Sequence, residues 1–266
     1  MTYDRASLVY PDSRWIAGEV TDQLARLLRR DLPEAAKVLD LGGGTGRFAA
    51  DMSSAGLRVC VCDISELMLR EGRRRECIEH SVVANLTRLP YADNSFDGAI
   101  AAAVLHVIDD PLPALAEARR VVTPGGLLTI MFGRTPIEAS AHQVITSMYR
   151  DAVGVRDTRF DADTRFDADR RAALERSVYE ALNRLGFTLQ STDEVTARQH
   201  ERVADTIGYI EARAYDWTWG VSENEHRSVV RTLRSSGPSI VRRNGAREDA
   251  LAVWRFHTWH QGDPGR

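Results

Sequence analysis

Short apolar runs separated by segments with helical spacing constrain this chain's fold more than any other feature. The runs lie at residues 38–41, 58–63, 81–86, 97–105 and 126–132. Their apolar residues do not alternate with polar ones, which is typical of strands buried on both faces of a parallel sheet. Helix signals lie between them: Ser65 is a candidate N-cap, and prolines begin a helical segment at 111–122. The alternation predicts a doubly wound α/β fold.

The regular alternation stops after Phe132. Two later segments, 187–192 and 251–259, are predicted strands, and the second is expected to be antiparallel. They complete a predicted seven-stranded, mostly parallel sheet. No segment has the composition of a linker between domains. We therefore expect residues 1–266 to form a single domain with helical cap or lid insertions at about 134–172 and 201–249.

The first of these insertions contains a tandem hexapeptide. DTRFDA stands at 157–162 and again at 163–168. One interpretation is a duplication in a surface segment that tolerates insertions. The other is a mobile lid over the active site, because long segments in compact domains are often functional. The sequence leaves both open.

Composition excludes several classes of protein. A formal net charge of −3 gives no basic surface for nucleic acid. Three cysteines are too few for a disulfide scaffold, and their spacing does not suit a zinc site. The apolar run at 98–108 is shorter than the roughly 20 residues of a membrane span, and the N-terminus has no signal-peptide pattern. We expect a soluble, cytoplasmic protein without metal, nucleic-acid or membrane partners. A homodimer is compatible with the sequence, which leaves the oligomeric state open.

A glycine-rich turn follows the first apolar run, in the sequence DLGGGTGR (40–47). Glycines at a strand-to-helix turn let the backbone approach a ligand closely. The dinucleotide pattern G-x-G-x-x-G would need glycine at Arg47, and a P-loop would need a lysine that the turn lacks. What remains is G-x-G-x-G with Asp40 two residues before it. This variant suits a nucleoside ligand that has no pyrophosphate.

Asp63 ends the second apolar run. A carboxylate there can accept hydrogen bonds from both hydroxyls of a ribose. Taken alone, an aspartate at a strand end is more often a helix cap or turn residue. Ligands of doubly wound sheets bind outside the carboxyl ends of the strands, where the glycine turn is also expected. The two features together therefore favour a nucleoside site.

Four segments, in order, resemble successive motifs of class I S-adenosylmethionine-dependent methyltransferases. They are VLDLGGGTGRFA (38–49), DISELML (63–69), LPYADNSFDGAIAAAVLHVIDD (89–110) and ALAEARRVVTPGGLLTI (114–130). Within that class, the chain is similar to the small-molecule methyltransferases of the ubiquinone/menaquinone type. The resemblance covers roughly the first half of the chain. It implies a Rossmann-like fold, S-adenosyl-L-methionine as the methyl donor and S-adenosyl-L-homocysteine as the product.

The resemblance also implies which residues hold this cofactor. They are Asp40, Gly42, Gly44 and Gly46 at the methionine part, Asp63 at the ribose, Ile64 and Met68 on the adenine ring, Asn85 and Leu86 at the adenine amino group, and Ala102 and Ala103 beside the cofactor. The chain departs from the usual pattern at Gly43, where Cys or Ser is common, and at Asn85, where Asp is usual. An Asn oxygen can accept from the adenine amino group without a charge.

His106, just past the fourth apolar run, is the candidate proton acceptor, since an imidazole titrates near neutral pH. Packing is the alternative role for this residue. Four further histidines are candidates that the sequence cannot place: His200, His226, His257 and His260. The methyl group of a sulfonium is already activated, so no metal is required, and an amine that binds neutral needs no dedicated base.

Four aromatic residues in the predicted cap are candidates for acceptor binding: Tyr209, Tyr215, Trp217 and Trp219. Packing is the alternative, since aromatic residues at such spacing commonly form a core. As an acceptor pocket, these rings would stack on a planar compound or bind a cationic amine.

The predicted function is methyl transfer to oxygen or nitrogen of a small-molecule acceptor, in specialised metabolism. A carbon acceptor remains open. The alternatives are an RNA or protein methyltransferase, and a non-catalytic module that binds the cofactor. The sequence does not identify the acceptor.

Overall fold

The computed structural model describes residues 4, 7, 12, 16–154 and 165–262, with the backbone alone at 165–170 and 216. Within these residues the strands are β1 (Lys37–Leu41), β2 (Arg58–Asp63), β3 (His80–Val83), β4 (Phe96–Ala102), β5 (Val122–Met131), β6 (Arg134–Pro136), β7 (Phe187–His200) and β8 (Asp249–Gln261). The helices are α1 (Gly18–Asp31), α2 (Ala49–Ser54), α3 (Glu66–Arg74), α4 (Leu112–Val121), α5 (Ala141–Ala152), α6 (Arg165–Arg184), α7 (Val203–Glu211) and α8 (Glu223–Arg243), with 3-10 turns at Leu105–Val107 and Asp216–Thr218.

The strands form one sheet in the order β3-β2-β1-β4-β5-β8. Strands β1 to β5 are parallel, and β8 is antiparallel to β5, β6 and β7. β7 pairs with β8 along its whole length, whereas β5 and β6 pair with different halves of β8. The prediction of a mostly parallel sheet with one antiparallel strand is confirmed. The sheet has eight strands among the described residues, where seven were predicted.

Both faces of the sheet are covered, which explains the continuous apolar runs. Neighbouring side chains of a strand point to opposite faces. Val38 joins a buried cluster that includes Leu24 and Leu28 of α1. Leu39, the next residue, joins a second cluster with residues of α4 and α6. Each residue of β1 after Lys37 is therefore buried.

The register of β8 places its N-terminal half beyond the carboxyl ends of the parallel strands. Ile130, near the end of β5, pairs with His257, and β8 begins eight residues earlier at Asp249. β7 accompanies it to His200, and the backbone N–H of Glu201 donates to Glu248 O. These extended strands carry the helices of the cap past the edge of the sheet where a ligand is expected.

The cap, which we define as α5, α7 and α8 with their connecting residues, has an apolar cluster of its own. Ile145, Ile207 and Leu233 belong to this cluster, one from each helix. α8 approaches α5 closely because Gly237 has no side chain: an added Cβ would lie 2.8 Å from Ile145 Cδ1. No helix in the described ranges combines the length and apolar character that a membrane span requires.

Several predicted boundaries were wrong. β3 ends at Val83 and β4 at Ala102, earlier than the apolar runs suggested. β7 continues to His200, beyond the predicted end at 192. Its second half alternates exposed residues with partly or fully buried ones, so no continuous apolar run marks it as a strand. The insertion at about 134–172 contains the helix α5, as its predicted helical character requires, and the short strand β6, which was not predicted. Of the tandem hexapeptide, residues 157–164 lie outside the described residues, and 165–168 begin α6.

Candidate active site

The glycine turn follows the carboxyl end of β1 and is hydrogen-bonded to the carboxyl end of β2. The backbone N–H of Gly42 donates to Cys62 O at 2.7 Å. Gly42, Gly44 and Gly46 have φ angles of 67°, 57° and 76°. These left-handed conformations strain residues that have a Cβ. The G-x-G-x-G spacing is thus required by the shape of the turn itself.

Gly43 meets a different requirement. Its φ is not positive, but an added Cβ would lie 2.3 Å from Asp40 Oδ2 and 2.8 Å from Val61 Cγ1. The backbone at Gly43 therefore lies directly against the buried carboxyl of Asp40. A side chain at this position would therefore require Asp40 or Val61 to move.

The Asp40 carboxyl is buried near the end of β1, and its pKa is raised. Its side chain is buried, and Oδ2 has no hydrogen-bond partner among the described residues. Burial, assisted by the nearby Asp63 carboxyl, raises the pKa of Asp40 to about 7. The Arg47 guanidinium acts in the opposite direction. A further positive charge at the turn would favour the ionised form.

Asp63 is fixed at the end of β2 by two backbone donors. Gly44 N–H donates to Oδ2 at 3.0 Å, and Ser65 N–H donates to Oδ1 at 2.8 Å. Burial raises the pKa of Asp63, and these hydrogen bonds oppose the shift. Ser65 caps α3 by accepting from Met68 N–H at 3.2 Å, as the sequence predicted. Each carboxyl oxygen has a second lone pair, which can accept a ribose hydroxyl.

Apolar side chains flank this carboxyl. Ile64 is 52% exposed, although it follows a buried strand. Met68 is buried, and its Cε lies 3.1 Å from where a Cβ of Gly44 would be. Leu86 Cδ1 lies 3.6 Å from the corresponding point at Gly42. The surface at Ile64 thus leaves apolar area free for a planar ring.

The Asn85 side chain is already hydrogen-bonded within the protein, and the backbone at the end of β4 is strained. Asn85 Oδ1 accepts from both Thr87 N–H and Thr87 Oγ1 at 3.0 Å, so an adenine amino group would compete with Thr87 for this oxygen. Ala103 has a φ of 53°, and its N–H donates to Met131 O at 2.7 Å. Such strain in a residue with a Cβ is concentrated at functional sites. Ala102 and Ala103 pack against the first core cluster.

The candidate histidines are dispersed. His106 is half-buried in the 3-10 turn at Leu105–Val107, directly beyond β4. His226 Nδ1 lies 2.6 Å from Tyr149 Oη in the core of the cap. His257 Nδ1 lies 2.7 Å from Tyr179 Oη, and burial lowers its pKa. His260 is exposed on β8, and His200 lines a cleft in the cap.

This cleft, which we call the cap cleft, has a volume of about 310 Å³. It is lined by Asp12, His142, Gln199, His200, Glu201, Arg202, Asp205, Thr206, Tyr209 and Tyr215. Two of the four aromatic candidates, Tyr209 and Tyr215, therefore face it. Trp217 stacks on Tyr215 with ring centroids 4.9 Å apart, and Trp219 Nε1 donates to Arg213 O at 2.8 Å. These two tryptophans are not among the lining residues and pack within the cap.

Sequence reasoning missed most of the cleft. His142 lies in the first turn of α5, which Ser140 and Gln143 begin with a capping box. That Ser-x-x-Gln spacing was the available signal for this helix. Nothing in the local sequence indicates that Glu201 meets His142, or that Arg134 pairs with Glu201 at 2.9 Å.

The strand-end residues fit S-adenosylmethionine. The Asp63 carboxyl is placed for a ribose, Ile64 offers apolar surface for an adenine, and Asp40 is a buried carboxyl whose ionisation a cationic ligand would favour. Within the described residues, no group of His, Cys, Asp and Glu side chains could hold a metal ion.

Comparison with known proteins agrees with this assignment. Residues 39–130 match the family model of a methyltransferase domain. Curated demethylmenaquinone methyltransferases of Paenarthrobacter aurescens strain TC1 and Clavibacter sepedonicus are 41% identical over 100 residues and 35% identical over 140 residues. These alignments cover 38% and 50% of this chain, and 40% and 57% of the two relatives. The chain thus spans about half the length of these relatives.

Two solved structures share the fold. The phosphoethanolamine N-methyltransferase 2 of Haemonchus contortus, solved with phosphomonomethylethanolamine and S-adenosylhomocysteine, is 18% identical, covering 98% of this chain and 58% of that one, with a TM-score of 0.53. A [4+2]-cyclase is 19% identical, covering 94% and 85%, with a TM-score of 0.56. At this identity they show the fold alone, and a fold does not fix a reaction.

The family model and the curated relatives confirm the predicted resemblance to class I S-adenosylmethionine-dependent methyltransferases of the quinone type.

Proposed function

We propose that this chain, which carries a class I S-adenosylmethionine-dependent methyltransferase domain, transfers a methyl group to oxygen or nitrogen of a small-molecule acceptor. The observation that carries the proposal is the Asp63 carboxyl, fixed by Gly44 N–H across the turn from the buried oxygen of Asp40. Bound there, S-adenosylmethionine supplies a methyl group that the sulfonium already activates. The protein's own residues then align the acceptor and exclude water.

In this proposal each strand-end residue has one part of the cofactor to hold. Asp63 binds the ribose, and Ile64 and Met68 pack on the adenine. Asp40 faces the positively charged methionine part across the glycine turn. Ala102 and Ala103 lie beside the cofactor, and His106 follows them at the acceptor side as a candidate base. The whole chain acts as one catalytic domain, with insertions at about 134–172 and 201–249 forming the cap.

The family model supports the cofactor site and says nothing of the acceptor, because it ends at residue 130, before the cap begins. The relatives named demethylmenaquinone methyltransferases support a small-molecule acceptor, and they keep methyl transfer to a quinone carbon as the alternative. Tyr209 and Tyr215 in the cap cleft support an acceptor site on that side of the molecule.

Two measurements test the proposal in sequence. Calorimetric titration should detect binding of both S-adenosylmethionine and S-adenosylhomocysteine. Incubation with S-adenosylmethionine and a panel of oxygen, nitrogen and carbon acceptors should then release S-adenosylhomocysteine. Absence of binding contradicts the cofactor assignment. Binding without turnover of any acceptor would instead favour a non-catalytic cofactor-binding module.

A further inference from the structure

The cap cleft is lined by polar side chains and by the rings of Tyr209 and Tyr215. Its buried part consists of His142, Gln199, Thr206 and Tyr215. Its more exposed part includes the carboxyls of Asp12 and Asp205. Among the described lining residues, none has an aliphatic hydrocarbon side chain. Its volume of about 310 Å³ includes space that is open to solvent, so an occupant would be held in a partly open cleft.

On the basis of the proposed function, we propose that the cap cleft binds a small polar acceptor bearing a hydroxyl or amine, and that His142, backed by Glu201, accepts the proton of that group. A hydrocarbon chain gains little binding free energy in such a cleft, because its burial is favourable only against apolar partners. A hydrogen-bonding group gains more binding free energy, because buried polar side chains discriminate strongly against ligands that leave them unpaired.

Two ion pairs connect the cleft to the segments that follow β5 and α3. Glu201 pairs with Arg134, which lies three residues beyond the carboxyl end of β5. Asp12 pairs with Arg75 at 3.0 Å, directly after α3, the helix that follows Asp63. The Arg134 pair therefore places the Glu201 side of the cleft near the carboxyl end of β5, at the edge of the sheet where the cofactor is expected. An acceptor site must lie on this side.

His142 is held in a defined position. The capping box fixes the first turn of α5, and the imidazole ring packs edge-on against Tyr215 with centroids 5.7 Å apart. Its Nδ1 lies 3.9 Å from Glu201 Oε1. A carboxylate beside one ring nitrogen can orient the imidazole, and such contacts commonly shorten when a ligand binds. The ion pair with Arg134 holds the Glu201 carboxyl in place.

The proposed step transfers one proton to His142 and one methyl group to the acceptor. The O–H or N–H bond of the acceptor breaks, and its proton passes to the imidazole of His142. The electron pair of the acceptor forms the new bond to the methyl carbon. The bond from that carbon to sulfur breaks, and its electrons remain on sulfur as a thioether. The imidazolium then loses its proton to solvent.

Binding and turnover of matched compounds test the acceptor class. Tyramine and 4-butylphenol share a phenol ring and differ in carrying an amine or a hydrocarbon end. In calorimetric titrations of the complex with S-adenosylhomocysteine, we expect tyramine to bind at least tenfold more tightly. A second pair, 1,4-dihydroxynaphthalene with and without a prenyl chain, repeats the comparison on a larger ring. Preference for the alkylated members, or no binding of either polar member, overturns the proposal while leaving cofactor binding intact.

Variants test the role of His142. With the polar compound that turns over fastest, His142→Gln should lower kcat about 100-fold with KM changed less than threefold, the size of effect that general base catalysis supplies. Glu201→Gln should lower kcat about tenfold. His80→Gln, on an exposed histidine of β3, is the matched control and should leave the rate unchanged.

A second variant separates chemistry from folding. Adding imidazole should restore part of the activity of His142→Ala but not that of Glu201→Gln, because only the first removes a base that imidazole can replace. Thermal unfolding and S-adenosylhomocysteine affinity should match the wild type in both. A wild-type rate in His142→Gln overturns the role of His142, as does loss of activity in His106→Gln alone. Absence of S-adenosylmethionine binding in the wild type would instead refute the proposed function itself.

Discussion

At the strand ends, the groups that face the expected cofactor come from a short stretch of chain. Asp40, the glycine turn and Asp63 lie within 40–63 at the ends of two adjacent strands, and backbone N–H hydrogen bonds hold the turn and Asp63. In the cap cleft, the facing groups are side chains from α5, the end of β7 and α7, together with Asp12. A site built from backbone turns is specified locally, whereas a site built from distant side chains depends on how helices dock.

The largest expected effect tests the strand-end site. Asp63→Ala removes both acceptors for the ribose hydroxyls and the partner of Gly44 N–H. Two hydrogen bonds to a charged group contribute about 5 kcal/mol, so affinity for S-adenosylmethionine should fall several thousandfold. Calorimetry measures the change.

The matched control for this variant is Asp97→Ala. Asp97 Oδ2 accepts from Lys37 N–H at 2.7 Å, at the opposite end of the same strands. This variant should bind S-adenosylmethionine like the wild type. Equal losses in the two variants would show that the effect is on the sheet and not on the ligand.

A second prediction concerns pH. The pKa of Asp40 is raised from 3.8 to about 7, so the folded chain retains a proton there that the unfolded chain has released. Asp40 therefore contributes its full stability below about pH 4, and this contribution declines as pH rises to about 7. The decline amounts to about 4 kcal/mol.

Asp40→Asn stays neutral and should remove that decline. Urea unfolding at intervals between pH 4 and 7 gives the free energy of unfolding of both proteins. The slope against pH should flatten in Asp40→Asn and remain in the control Asp97→Asn, whose carboxyl is partly exposed. An unchanged slope in Asp40→Asn would mean that this carboxyl is ionised in the folded protein.

A third prediction sharpens the contrast through two glycines. Gly43→Ala places a Cβ against Asp40 Oδ2 and should cost about 2 kcal/mol in stability, with at least a tenfold loss of S-adenosylmethionine affinity. Gly208 lies in α7 with nothing within 4 Å of an added Cβ. Gly208→Ala should stabilise the protein by up to about 1 kcal/mol and leave that affinity unchanged. If both variants bind alike, the turn is more pliable than its contacts indicate.

The smallest expected effect tests whether the cap is independent of the cofactor site. Tyr149→Phe removes the hydroxyl that lies 2.6 Å from His226 Nδ1 in the cap core. Stability should fall by about 1 kcal/mol, while S-adenosylmethionine affinity stays the same. In the control Tyr91→Phe the lost partner is the Cys60 thiol at 3.2 Å, so the loss should be smaller. A large loss of affinity in Tyr149→Phe would show that the two regions are coupled.

Much of the fold could be predicted from particular residues. The runs at 38–41 and 58–63 became β1 and β2, and Ser65 caps α3. β7 was underestimated because polar residues at alternate positions in an edge strand give no apolar signal. The bounds of α5 within its insertion were not predicted, because His142, Thr146 and Arg150 are on its buried side, where the hydrophobic pattern would need apolar residues.

The sequence by itself determined the parallel strands and the strand-end site, because tight turns, strand burial and capping depend on residues close together in the chain. Gly42, Gly44 and Gly46 specify the backbone of the turn whatever the rest of the chain does. Only the tertiary structure decided the composition of the cap cleft. Glu201 reaches His142 and Arg134 because β7 and β8 extend together beyond the carboxyl ends of the parallel strands. No local pattern encodes a contact between residues so far apart in the chain.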